Sequence, residues 1–416
     1  MRLAVNTITL VVVSLGVMAL CGCGRQVDSQ ANNWSPKAAA AYLDQREAWW
    51  MTWPVAARDH GTYCVSCHTV IPYALARPEL RRISGATEAP VEEKKLLENV
   101  RKRVQLWNQT APYYTDQEDG PHKADQSRGT ESVLNALILA SADARSGRLS
   151  DDALAAFAYM WDWQYTAGRN RGAWAWLQFD NEPFEGHDSE YYGAALAAVA
   201  VGLAPDDYGS SPGIQKNISL LREYLNAGLD RQSLINRITA LWASEEVPGL
   251  LSPEKQQAII REALRAQSAD GGWSLASLSW SWRDWTAKSL TKLYVRSNES
   301  LLHPKSDGYA TGFIAYVLEK SGASPNGSQL RRALAWLKRS QNATEGSWPG
   351  YSLNNRVSPS SEMGHFMSDA ATGFAVLALV QSSARSAAPN VASDQGRRER
   401  TLWRALNGRA FPGSEQ

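Results

Sequence analysis

Residues 267–273 read QSADGGW and residues 341–348 read QNATEGSW. Each closes a stretch whose apolar residues recur at spacings of three and four, the mark of an amphipathic helix. Each is followed by an acidic residue that opens a run rich in Ala and Gly: DGYATGFIAYVLEKSG from Asp307 and DAATGFAVLALVQSS from Asp369. A third copy with a longer spacer, QYTAGRNRGAW over 164–174, leads to DSEYYGAALAAVAVGLA from Asp188. RGTESVLNALILASADA from Arg128 has the same texture without the Asp. A unit of two helices recurring every roughly 40 to 50 residues predicts an array of about five or six helix pairs over 128–383. The small residues of the second helix let neighbours approach closely.

The Gln, Gly and Trp of the first half and the Asp, Gly and Phe or Ala of the second resemble the repeat of squalene-hopene cyclases and protein prenyltransferase beta subunits. The resemblance implies an all-α fold, an α/α toroid in which inner and outer helices alternate around a central cavity. It does not bring the chemistry. The cyclases' D-x-D-D stretch is absent, its nearest relative being Asp188-Ser189-Glu190-Tyr191, so terpene cyclisation is not expected. The prenyltransferase zinc set needs an Asp, a Cys and a His, and the cysteines here have other uses.

Upstream of the array, residues 61–69 read GTYCVSCHT. Two thiols three positions apart, followed at once by an imidazole, have the spacing that attaches one covalent haem c. Cys64 and Cys67 would form the thioethers and His68 would take the iron. Zinc would need further Cys or His ligands at sensible spacing, and no second CxxC or HxxxH occurs. Trp49, Trp50 and Trp53 offer an apolar wall, and Pro72 is placed to offer its carbonyl to the imidazole N–H, as in many c-type haem proteins. Residues 90–107 predict an amphipathic helix carrying Leu96, Leu97, Val100, Val104 and Trp107 on one face. A sixth ligand would come from His122, His187, His303, His365, Met160, Met363 or Met367, or the position is open. The stretch 360–370, SSEMGHFMSDA, gathers Met363, His365 and Met367.

The chain opens MRLAVNTITLVVVSLGVMALCGCGRQ. One basic residue, an apolar run and small residues around the cysteines predict an export signal, residues 1–22. Leu20-Cys21-Gly22-Cys23 resembles a lipobox, which implies lipid on Cys23 and a protein anchored to a membrane at the periplasm or cell surface. An uncleaved anchor helix is the other reading. The remaining segments are a linker (23–35), a haem-binding region (36–125), the toroid (126–385) and a polar tail (386–416). The four cysteines divide into one lost, one lipidated and two on haem. A net charge of +1 argues against a nucleic-acid partner.

These residues predict first an exported c-type cytochrome lipoprotein in haem-dependent electron transfer or oxidoreductase work, its toroid shaping a pocket for a redox partner protein or a small organic substrate. The alternatives are a toroid carbohydrate-active enzyme, lyase or hydrolase, with accessory haem, and a haem-based sensor or docking protein without catalysis. His187, Asp188, Glu190 and Tyr191, with Tyr192, are candidate proton-transfer or substrate-contact residues. Glu131, Asp307 and Asp369 would gather with them where inner helices begin. Asp307 and Asp369 read as helix N-caps. With 17 Trp and 15 Tyr against 7 Phe, the aromatics favour rings with a polar handle, which also stack on sugars.

Overall fold

Ser35 accepts the N–H of Ala38 and Pro36 supplies the fixed φ of a first turn, so the chain enters helix α1 at Pro36–Thr52. A two-stranded hairpin (β1 Ala57–Arg58, β2 Thr62–Tyr63) leads into the CxxCH turn and α2 (Val70–Ser84). Helices follow at α3 (Val91–Gln105), α4 (Gly120–Asp143), α5 (Asp151–Asp162), α6 (Ser189–Leu203), α7 (Gln215–Gly228), α8 (Leu234–Glu246), α9 (Pro253–Arg265) and the short α10 (Leu275–Ser279). The last three are α11 (Gly308–Lys320), α12 (Ser328–Ser340) and α13 (Phe366–Ala387). This computed structural model describes residues 34–115, 120–186, 188–279, 305–324, 326–353, 357–358 and 361–387. The export signal, Cys23, His303 and the polar tail lie outside them.

The fold is an all-α toroid. Among the described residues six inner helices pack side by side in the order α2, α4, α6, α8, α11, α13, and α13 packs back on α2. The ring is closed. Around it α1 lies on α2 and α13, α3 and α5 on α4, α7 on α6, α9 on α8, and α12 on α11 and α13. The inner helix α6 is apolar and buried all round, covering every residue from Tyr191 to Val201. Outer helices bury a stripe; α12 covers Leu330, Ala333, Leu334, Trp336 and Leu337 and leaves its basic residues outside. Close approach needs absent side chains. A Cβ on Gly312 of α11 would stand 2.5 Å from the backbone nitrogen of Ala375 on α13.

The repeated Gln, Gly and Trp form one joint used three times. Gln164, Gln267 and Gln341 each donate Nε2 to the carbonyl of the motif's own glycine, at 3.1, 2.9 and 2.8 Å. The same nitrogen reaches a carbonyl near the start of the next outer helix: Asn217, Gln329 and, for Gln341, Ser35. Trp174, Trp273 and Trp348, fully buried, turn their indole N–H back to carbonyls of the preceding outer helix, those of Met160, Ala263 and Leu337, at 2.6 to 2.7 Å. Each joint thus ties two outer helices and the turn between them.

The third joint lands on Ser35, at the head of α1, so the segment carrying CxxCH is a stave of the ring. Residues 36–125 and 126–385, drawn apart in the sequence, share one hydrophobic core that runs from Trp50 and Cys67 to Phe374. The stretch Glu362–Ser386 is long and apolar enough to cross a membrane, but 83% of its apolar window is buried in the ring.

Candidate functional sites

The CxxCH turn sits where an inner helix begins. Trp50 donates its indole N–H to the carbonyl of Cys64 at 2.7 Å, and Asn99 clamps Tyr63 through both backbone groups at 2.9 and 3.1 Å. Ser66 Oγ accepts the N–H groups of Thr69 and Val70, satisfying the donors that open α2. Beside this turn is a cavity of about 360 Å3, walled by Trp50, Trp53, Cys64, His68, Tyr113, Tyr114, Phe179, Glu185, Phe366 and others. Phe366 stacks on the His68 ring, centroids 3.8 Å apart.

Of the candidate iron ligands, Met363 and Met367 are on the wall with His68. His365 is not among its lining residues, Met160 is buried in α5, and His122 is exposed on the first turn of α4. His187 and His303 lie outside the described residues. Cys64 is on the wall; Cys67 is buried in the same turn without lining the cavity. Burial pushes the Cys64 thiol up to about 11 and Cys67 well above its ordinary value, so both are protonated thiols at neutral pH. Burial, with Arg46, lowers His68 to about 3, so its imidazole is neutral. Burial raises Glu185 to about 7 against the opposing pull of Asn181 and Lys123.

Two readings of this turn change. His68 Nδ1 pairs with Thr69 Oγ1 at 3.0 Å and not with the carbonyl of Pro72, which sits in the first turn of α2 with its ring against Gly373. Asp369 is not a cap. It lies in the first turn of α13 and accepts from side chains: Tyr42 and Arg46 at 2.8 Å and Thr69 at 2.7 Å. Burial raises its proton affinity overall, against the opposing pull of those donors, Arg46 foremost. Asp307, at the equivalent place in its repeat, does cap, accepting Ala310 N–H at 2.8 Å and Leu275 N–H at 2.6 Å. Glu131 is fully buried between Arg103 and Arg128, away from the cavity lining.

A second pocket of about 440 Å3 lies where α6 begins, lined by Asp188, Glu190, Tyr191, Glu223, Tyr224, Asn170, Arg169, Arg171 and Arg231. Three of the four candidate proton-transfer residues therefore meet; the fourth, His187, is outside the described residues. Glu190 is partly buried, which raises its proton affinity, and Asn170 donates to it at 2.8 Å. Glu223 is exposed and ion-paired with Arg171 at 3.1 Å. Tyr191 is pinned by its hydroxyl to the carbonyl of Leu225 at 2.8 Å. Tyr192 faces elsewhere, among Trp176 and Phe184. Glu223 and Tyr224 went unseen in the sequence because they sit on the polar face of an outer helix, where a charged residue reads as solvated.

No family model matches the chain, and no curated protein matches it. Solved structures to which it is similar include, each at 11% identity, a glycosidase variant (TM-score 0.46; 84% of this chain, 98% of that one), a polysaccharide lyase (0.48; 85% and 99%) and a second glycosidase variant (0.45; 84% and 98%). The expectation of a haem-dependent electron carrier or oxidoreductase, with its cytochrome reading, is corrected here. The structures named are two glycosidases and a polysaccharide lyase, and among the described residues no group of three or more His, Cys, Asp or Glu gathers as a metal site.

Proposed function

We propose that the chain is a carbohydrate-active enzyme, a hydrolase or lyase, working in the polar pocket at the start of α6, with a covalent haem c on Cys64, Cys67 and His68 as an accessory group. One observation carries the reading: two carboxyl groups in unlike settings line the same pocket. Glu190 is shielded and holds its proton more tightly than a free carboxyl, while Glu223 stands in solvent paired with Arg171. Glycosidic cleavage uses such a pair, one carboxyl as proton donor and one ionised. Tyr224 offers its ring to a sugar face, and Arg169 and Arg231 offer donors to its hydroxyl or carboxylate oxygens.

The accessory haem suits the chemistry of the other cavity. Cys64 and His68 stand on a wall of Trp, Tyr and Phe rings, with Met363 and Met367 beside them, and these are the side chains that would hold the haem and its iron. A bound haem would supply redox chemistry of its own; cleavage does not pass through it. The N-terminal sequence supports export and a lipid anchor on Cys23, which would hold the enzyme at a membrane facing polysaccharide outside the cytoplasm.

The test is cleavage of a panel of neutral and acidic polysaccharides by the exported, haem-matured protein. New reducing ends score either reaction, and an unsaturated sugar product marks elimination. Glu190→Gln should lower the rate by about 10²-fold or more, the scale of a lost general acid, and His68→Ala should leave it near wild type. No cleavage of any substrate, or a rate that follows His68 and ignores Glu190, would overturn the reading.

A further inference from the structure

The His68 ring has its hydrogen bond at Nδ1, 3.0 Å from the hydroxyl of Thr69. A hydroxyl has one proton to give. That of Thr69 goes to Oδ2 of Asp369 at 2.7 Å. The other oxygen of Asp369 takes the Tyr42 hydroxyl and the Arg46 Nε–H, both at 2.8 Å. Arg46 does not shed its proton at any working pH. It is fixed in turn by the side chain and carbonyl of Glu362, at 2.5 and 3.0 Å, and lies over the Trp49 ring. Ion-paired with this fixed cation at 2.8 Å, Asp369 is read as a carboxylate, an acceptor only. The direction of the chain is then settled: Thr69 gives to Asp369 and is left to receive from His68.

We propose that Asp369, acting through Thr69, is a positioning residue that holds His68 in its Nδ1–H tautomer and leaves Nε2 bare in a ring that lines the cavity. A bare nitrogen is what a metal ion or a hydrogen-bond donor on a ligand requires, and the other tautomer would present an N–H instead. The device is assembled from distant parts of the chain: Tyr42 and Arg46 on α1, Thr69 before α2, Asp369 on α13. In the accessory-haem reading, on which its purpose rests, it does for His68 what a carbonyl partner does in simpler sites.

The tautomer is measured on the full chain produced without haem attachment and labelled with 15N-histidine. Long-range proton–nitrogen spectra distinguish a protonated Nδ1 from a protonated Nε2, and the signals of His68 are those lost in His68→Ala. The wild type should show protonated Nδ1 and bare Nε2. Thr69→Ser should preserve that pattern and Thr69→Val should lose it. Asp369→Asn, whose amide donates to Thr69, should turn the hydroxyl toward Nδ1 and move the proton to Nε2. A wild type protonated at Nε2, or a Thr69→Val spectrum like the wild type, overturns the proposal. The Thr69 pair decides should Asp369→Asn fail to fold. Haem content of the matured wild type, read from its pyridine haemochrome spectrum, reports separately on the reading of CxxCH.

Discussion

Gln341 and Ser35 hold each other across 306 residues: Ser35 N–H donates to Gln341 Oε1 at 2.6 Å, and Gln341 Nε2 donates to the Ser35 carbonyl at 3.1 Å. This is the point at which the last repeat grips the first outer helix. Gln341→Ala should cost about 1–2 kcal/mol of unfolding free energy, the usual worth of a partly exposed pair of hydrogen bonds, with proteolysis beginning ahead of α1. Urea unfolding and limited proteolysis check it. Unchanged stability with α1 still protected would mean that the joint is ornamental.

Gly172 has φ +98°, and a Cβ placed on it would land on the carbonyl oxygen of Leu220 in α7. Gly172→Ala should therefore destabilise by about 2 kcal/mol or more, since backbone strain and collision add. Gly85→Ala is the control: its φ is +70° but the space around it is open. Thermal unfolding should separate the two, and equal losses would sink the collision argument.

Arg103 and Glu131 are both wholly buried, joined by Nη2 to Oε2 at 3.1 Å and by a second contact through Nε. Removing one partner strands the other. Glu131→Ala should cost about 3–5 kcal/mol, and pairing it with Arg103→Met should restore part of that loss. A double variant no better than the single one would show that Arg103 finds Asp59 or other partners sufficient.

Glu185 gives a pH dependence whose sign follows from burial. Its folded-state pKa, about 7, lies above its ordinary 4.5, so the folded protein binds the proton more tightly than the unfolded chain does. Its contribution is present in full below pH 4.5 and declines as pH rises toward 7. Melting temperature recorded over that interval should fall with a slope that Glu185→Gln reduces. An identical slope in the variant would assign the effect to another group.

The toroid was legible because its joint repeats: Gln, Gly and Trp at similar spacings made three weak signals one strong one. The ring's closure through α2 was not, because the turn at 61–69 carries none of those three residues in that order and reads as a motif of its own. Asp307 and Asp369 occupy matching places in the repeat, yet one caps a helix and the other collects Tyr42, Arg46 and Thr69. Nothing local separates them, since those three partners come from the far end of the chain. For the second pocket, Asp188, Glu190 and Tyr191 stood out as a cluster, while Glu223 and Tyr224 were disguised by their amphipathic helix.

The meeting of α1, α2 and α13 bears on how the molecule is made. The surroundings of His68 draw on residues near position 40, near position 69 and near position 369, so they do not exist until the chain has been synthesised past position 369. Contacts this distant are slow to form. Until α13 arrives, the two thiols sit in an incomplete ring, open to oxidation and to any maturation enzyme. On the proposed haem reading, attachment at Cys64 and Cys67 would have a window that closes with the last inner helix, and mutations that hasten closure of the ring would lower the yield of modified protein without touching the turn itself.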